Sequence, residues 1–296
     1  MSRSRWCVAM MMLGVALLHT ACAPKNRNVI VRDAPPPSFA EVAARYDERV
    51  SRLDRIWAIA VVELKYVDDR GGRQTEQGEG HLQIRQPSDF ALNVGKLGEV
   101  YAYLGADAER FWFFDRSGES RVTVGRHENI GRECAEELGL PAHPFEMIAL
   151  MGITSIGDAG SGAVAWSDNG AHMVVQVPRE RHMERLTLDP ETLLPERIEF
   201  IDGEGRVRVS STLTLPAPVA QGDEGGFFPM MASRIEIEDP WSDTKAILHL
   251  ADLEDGSSRR GRLNDVAFDF DFLRDAYRPS VIHVLDRDCP HPGWTP

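Results

Sequence analysis

The sequence predicts an α+β fold that is mainly antiparallel β, and three features carry the prediction. Short segments with alternating apolar and polar residues recur through most of the 296-residue chain. Clusters of Gly, Asp, Asn and Pro separate them at hairpin intervals. One amphipathic helix precedes this series and a second, apolar helical segment interrupts it. Together they describe one strongly curved antiparallel sheet in a single domain, residues 38–288. With 43% hydrophobic residues the chain can bury a sizeable core.

The elements follow in order. In "SFAEVAARYDERVSRLDRIW", Ser38 and Glu41 have the spacing of a capping box, and Phe39, Val42, Ala43, Tyr46, Val50, Leu53 and Trp57 recur at helical spacing. From Trp57 the period becomes two. "WAIAVVELKYV", "HLQIRQ", "DFALNVG", "EVYAYLG" and "RFWFFDRSGESRVTVG" read as strands of a meander. Helical material is expected at residues 133–138 and 144–151, followed by "GDAGSGAVAWSDNG" as a flexible connection. Strands resume with "HMVVQVP", "RLTLD", "LPERIEFIDGEGRVRVSSTL", "MASRIEIED", "KAILHLADL", "AFDFDFL" and "SVIHVLD".

The N-terminus carries a targeting signal. Arg3 and Arg5 precede a mostly apolar run from Trp6 to Leu18, too short for the roughly 20 residues that span a bilayer. Residues 1–21 therefore read as an export signal. Ala21 suits ordinary secretory cleavage, and an uncleaved anchor is the remaining alternative. Thr20-Ala21-Cys22 also resembles the bacterial lipobox, departing from it at His19 where Leu is usual. That resemblance implies lipidation of Cys22, which would begin the mature chain. Residues 22–37 are polar and end in three prolines, a tether between anchor and domain.

Forty-six acidic against 33 basic residues give a net charge of −13, which argues against nucleic acid as a partner. With Cys7 in the signal and Cys22 lipidated, Cys134 and Cys289 remain as an even pair in an oxidising setting. A disulfide between them would be worth roughly 5 kcal/mol in the chain-entropy model; two buried free thiols are the alternative. Residues 289–296 form a Pro-rich tail.

Motifs for chemistry are lacking. Gly160-Ser161-Gly162 with Ala165 imitates a dinucleotide fingerprint, but turn residues follow where a helix is needed. The nine His residues make no metal-ligand spacing, and no G-x-S-x-G elbow occurs. His182 and Glu184 share a charged stretch expected to be a solvated strand end or turn. Read as a strand, "AFDFDFL" places Asp269 and Asp271 in solvent, opposite Phe268, Phe270 and Phe272. No metal, cofactor or enzymatic activity is expected.

The informative feature is a surplus of apolar residues. In "RFWFFD", Phe111 and Phe113 point one way while Trp112 and Phe114 point the other. Such a strand is either a central one covered on both faces or one lining a cavity. "PFEMIALMG" is apolar nearly all round, so this helix is either buried outright or packed against a removable apolar partner.

This order of elements resembles the lipoprotein localisation family, comprising a periplasmic lipoprotein carrier (LolA-like) and its outer-membrane receptor (LolB-like). The resemblance spans residues 38–285 and is carried by "LTLDPETLLPERIEFIDGEGRVRVSSTL" (186–213) and "GEGHLQIRQPSDFAL" (78–92). It implies a curved, incomplete β-barrel covered by the N-terminal helix and the mid-chain helical insert around an apolar hollow. Candidate cavity and lid residues are then Phe39, Tyr46, Trp57, Phe111, Trp112, Phe113, Phe114, Phe145, Met147, Ile148, Leu150 and Met151. The implied function is binding of acyl chains of lipoproteins or lipids, as in lipoprotein transport. The implied place is the cell envelope, at the outer membrane facing the periplasm, through the anchor at Cys22; Ala23 after the Cys fits that membrane. The family's receptor also carries an exposed apolar loop residue for lipid transfer, which the sequence assigns to no single position. A scaffold or sensory protein acting on envelope protein partners is the alternative.

Overall fold

A computed structural model describes residues 34–67, 70–136, 138–167, 170–221, 228–256 and 263–289. The expected signal, the lipidation site Cys22, most of the tether and all of the tail after Cys289 lie outside the described residues.

The first helix, α1 (Phe39–Val50), starts where the capping box predicts. Ser38 Oγ accepts from the Glu41 amide, and Glu41 Oε2 accepts from the Ser38 amide at 2.9 Å. Val42, Ala43, Tyr46 and Val50 form its buried face. The first meander is β1 (Arg55–Val67), β2 (Arg73–Arg85), β3 (Asp89–Lys96), β4 (Glu99–Ala106), β5 (Arg110–Asp115) and β6 (Arg121–Arg126). An insert carrying α2 (Glu146–Leu150) follows. Then come β7 (Ala163–Trp166), β8 (Met173–Pro178), β9 (Met183–Leu188), β10 (Pro195–Ile201), β11 (Val207–Pro218), β12 (Met230–Asp239) and β13 (Thr244–Asp255). The chain closes with α3 (Phe270–Tyr277) and β14 (Val281–Val284).

Among the described residues these strands make one sheet, ordered β14-β6-β5-β4-β3-β2-β1-β13-β12-β11-β10-β9-β8-β7. Neighbours pair antiparallel except β14, which runs parallel to β6. This is the expected α+β, mainly antiparallel, open curved sheet with helical covers.

Four local expectations are corrected. The helical spacing carried on to Leu53 and Trp57 stops at Val50, and Trp57 lies in β1. Residues 133–136 and 138 are turn and coil rather than helix, held by the Cys134–Cys289 disulfide. The connection after α2 contains an edge strand, β7, paired with β8. "AFDFDFL" is a 3-10 turn (Asp265–Phe268) leading into α3, not a strand. Asn264 and Asp269 each accept a backbone N–H at a helical start, and β14 occupies the edge of β6 that another strand would need. Asp269 and Asp271 are nonetheless exposed.

The sheet has two cores. The concave face packs against α1 and the insert. On the outer face of β3–β6, Tyr103, Trp112, Phe114, Val122 and Val124 are covered by Phe268, Phe270 and Leu273. The Tyr103 hydroxyl donates to the Ala267 carbonyl at 2.6 Å, and burial raises its pKa steeply. Farther along, the outer face is polar, with Glu199 between Arg185 (2.6 Å) and Arg197 (3.1 Å), and Lys245 bridging Glu236 and Glu238.

Both ends of the sheet have neighbours. Residues 34–39 pass along β7: the Trp166 indole donates to the Ala34 carbonyl (3.0 Å), and Phe39 packs on Gly162. At the other end Glu136 lies against β14, with its carboxylate 3.0 Å from His283 Nε2.

The disulfide joins Cys134 in the insert to Cys289 after β14, 155 positions apart. Replacing both cysteines by Ser should lower the unfolding free energy by about 2–5 kcal/mol, measured by urea denaturation without reductant. A change below 0.5 kcal/mol would show that neither folded nor unfolded chain is constrained by it.

Candidate functional site

Helix α1 is tied to the chain just after α2. The Tyr46 hydroxyl donates to the Gly152 carbonyl at 2.8 Å, and Arg49 Nη2 donates to the same oxygen at 2.7 Å. Arg49 Nη1 reaches the Met230 carbonyl at 3.2 Å. Between them in sequence, the Asp47 carboxylate accepts from Ser155 Oγ and from the amides of Ile156 and Gly157, each at 2.9 Å. Gly152 sits at φ +70°, and a Cβ there would lie 2.4 Å from Pro195, so only glycine lets the segment approach so closely. Burial pushes the Tyr46 phenol up to about 12.

The candidate cavity residues divide between faces. Tyr46, Phe111, Met147, Ile148, Leu150 and Met151 meet in the concave core, with Phe39 and Phe145 packed at its margin. Phe113 shares the side of Phe111 by alternation and is half-buried. Trp112 and Phe114 face outward beneath α3, with Phe270 ring centroids at 5.6 and 6.1 Å. Trp57 also lies outside the concave core, its ring 5.3 Å from that of His81, because Ile56 and Ala58 take the inward positions of β1. Beneath the two covers, Tyr46, Leu53, Leu150 and Met151 are essentially fully buried.

Open apolar volume occurs beside the C-terminal end of α1. The ladder between β10 and β11 ends at Arg197↔Thr212, while β11 runs on to Pro218 paired only with β12. The resulting gap is a groove of about 690 Å³ between β11 and the 189–195 turn. Its walls include Leu194, Pro195 and Leu215, and its floor is formed by Met151, Leu213 and Met231, all members of the core. Arg49 also lines the groove. At the rim, Glu196 is 3.0 Å from the His172 ring, and Asp189 accepts the amides of Glu191 and Thr192.

A second, polar cleft of about 800 Å³ lies between the insert and the β8–β9, β10–β11 and β12–β13 turns. Beside it, rings of His127 and His143 pack against Phe111 and Phe145, and His182 lies 4.1 Å from Phe200. Glu146 of α2 pairs with Arg208 across the cleft. Burial lowers all three histidines, His182 to about 4. Glu184 is not solvated as expected: it is 2% exposed and accepts from Arg179 Nε at 2.8 Å. Arg179 also donates to the Ser155 carbonyl, and burial raises the Glu184 carboxyl. The parity of Glu184 with Leu186 and Leu188 is the signal that places it inward.

A residue unassigned by sequence is Leu97. It is fully exposed at the β3–β4 turn, with φ +54°, followed by Gly98 at φ +86°. Among the described residues no group of three His, Cys, Asp or Glu could hold a metal ion, and no helix is long and apolar enough to cross a membrane.

No protein-family model and no curated protein matches this chain. Among solved structures it is similar to a LolA superfamily protein from Nitrosomonas europaea at 11% identity and TM-score 0.48, covering 78% of this chain and 99% of that one. It is also similar to a putative outer membrane lipoprotein-sorting protein domain from Vibrio parahaemolyticus, at 12% identity and TM-score 0.48, covering 80% and 97%. The Pseudomonas aeruginosa MucA/MucB complex matches at 12% identity and TM-score 0.20, covering 76% and 97%.

Two outcomes follow from this geometry. Asp47→Ala should cost about 1–3 kcal/mol, because the Ile156 and Gly157 amides lose their acceptor, and urea denaturation checks it. Second, His127, His143 and His182 bind protons more weakly folded than at their ordinary value of 6.5. Their contribution is complete above about pH 6.5 and declines as pH falls toward about 4. Glu184, raised from 4.5, acts oppositely, losing stability as pH rises through its folded value. The urea midpoint should drop between pH 7.5 and 5.5, and His182→Phe should flatten that drop; an identical slope in the variant would contradict the assignment.

Proposed function

We propose that this protein is a cell-envelope lipoprotein that binds acyl chains of lipoproteins or lipids, with the groove beside α1 as the place where a chain enters. The observation that carries this reading is the groove's floor. Met151, Leu213 and Met231 belong to the core, so a chain lying in the groove contacts the apolar interior directly. Acyl chains suit such a surface, since burial contributes about 0.8 kcal/mol per CH₂ without directional demands. The contacts of Tyr46, Asp47 and Arg49 with the insert act as a latch, and releasing it would uncover more of the same surface.

The resemblance in residues 78–92 and 186–213 supports an envelope role in lipoprotein transport, at the outer membrane facing the periplasm. Leu97 has the character of the exposed apolar loop residue of the family's receptor. Lipidation at Cys22 would place the anchor upstream of Ala34, whose carbonyl meets Trp166 at the β7 edge. The burial of Tyr46, Leu150 and Met151 beneath the covers supports a second reading, a scaffold or regulator that binds an envelope protein and carries no lipid.

The test uses the uncharged fluorophore N-phenyl-1-naphthylamine. The carrier reading expects saturable binding, weakened about tenfold (about 1.4 kcal/mol) by Leu194→Trp, which fills the groove. Absence of binding by the folded protein would leave the scaffold. Separately, Cys22→Ser should move the protein from the membrane to the soluble fraction; continued membrane association would remove the anchor.

A further inference from the structure

We infer that the groove selects single-chain amphiphiles with an anionic head group, and that Arg49 is the residue that receives the head. This rests on the acyl-binding reading of the same groove and adds the chemistry of the ligand's polar end.

The argument starts from an uncompensated charge. The other charged groups around the groove have partners: Glu196 has His172 at 3.0 Å, Arg197 has Glu199 at 3.1 Å, and Asp189 accepts backbone amides. Arg49 differs. Its Nη atoms donate to the neutral carbonyls of Gly152 and Met230, its Nε is buried without a hydrogen-bond partner, and no described carboxylate pairs with it. The nearby carboxylate of Asp47 is engaged by Ser155, Ile156 and Gly157, and that of Glu184 by Arg179. Its guanidinium stacks 4.7 Å from the Tyr46 ring centroid, which fixes its position.

A full positive charge in the lining of an apolar groove, in a chain of net charge −13, has a specific complement. It is a molecule whose apolar tail follows Leu194, Leu213 and Leu215 and whose anionic oxygen reaches the guanidinium. A volume of about 690 Å³ lies within the range of pockets that hold one drug-sized molecule, which suits one chain. The head group also competes with the Gly152 carbonyl for Arg49, so its arrival loosens the contact between α1 and the insert.

The test measures displacement of N-phenyl-1-naphthylamine below critical micelle concentrations by oleate, oleoyl lysophosphatidylglycerol and the uncharged oleyl alcohol. The expected result is that at least one anion binds about tenfold or more tightly than the alcohol. A preference for oleate identifies a carboxylate head, and one for the lysolipid a phosphate. Arg49→Gln should bring the anions' affinity to within about twofold of the alcohol's in the same variant, and Arg49→Lys should retain most of the preference. Equal affinity of all three ligands, or a preference that survives Arg49→Gln, overturns the inference while the acyl-binding reading stands. Failure of the fluorophore itself to bind defeats that earlier reading and this one with it.

Discussion

The carbonyl of Gly152 is the point on which the arrangement of the covers depends. It accepts from both Tyr46 and Arg49, two side chains one turn apart on α1. Three more hydrogen bonds to Asp47 hold the residues immediately downstream. Helix α2 is only five residues long and could not hold its place by helical propensity. Its position is set by this polar clamp and by burial of Met147, Ile148 and Leu150. The clamp joins elements more than a hundred positions apart, and the side chains beneath it share one core with the strands.

The sheet itself shows a division of labour. Along β3–β6 both faces are apolar and both are covered, by the insert inside and α3 outside. Along β9–β13 the outer face carries ion pairs and only the inner face is buried. The groove arises in that second half, where strand lengths fail to match. Pro216 and Pro218 lie on the overhanging part of β11 and offer no N–H to an unpaired ladder, so the mismatch leaves apolar surface rather than unsatisfied donors.

Much of this was legible where the determinants are local. Ser38 and Glu41 marked the start of α1, and period-two segments with turn residues marked the meanders. Cys134 and Cys289 were identified as an even pair. What escaped was set by distant contacts. Phe268, Phe270 and Phe272 alternate as a strand would, but Phe270 and Leu273 are the buried positions of a helix that leaves Phe272 exposed, and the choice was made by Asp269 as a cap and by β14 taking the free edge. Trp112 and Phe114 looked like cavity lining because nothing in the sequence announced a cover for the outer face. The groove depends on where one ladder ends, which no single stretch encodes.

The segment running beside β7 has a consequence for how the chain meets other copies of itself. An exposed edge strand invites another chain to add to it and seed aggregation. Here residues 34–39 lie along that edge and include Pro35, Pro36 and Pro37, which cannot donate to a growing ladder. The stretch that leads to the proposed anchor thus also covers an edge open to self-association, and shortening it into residues 34–39 would cost solubility as well as reach.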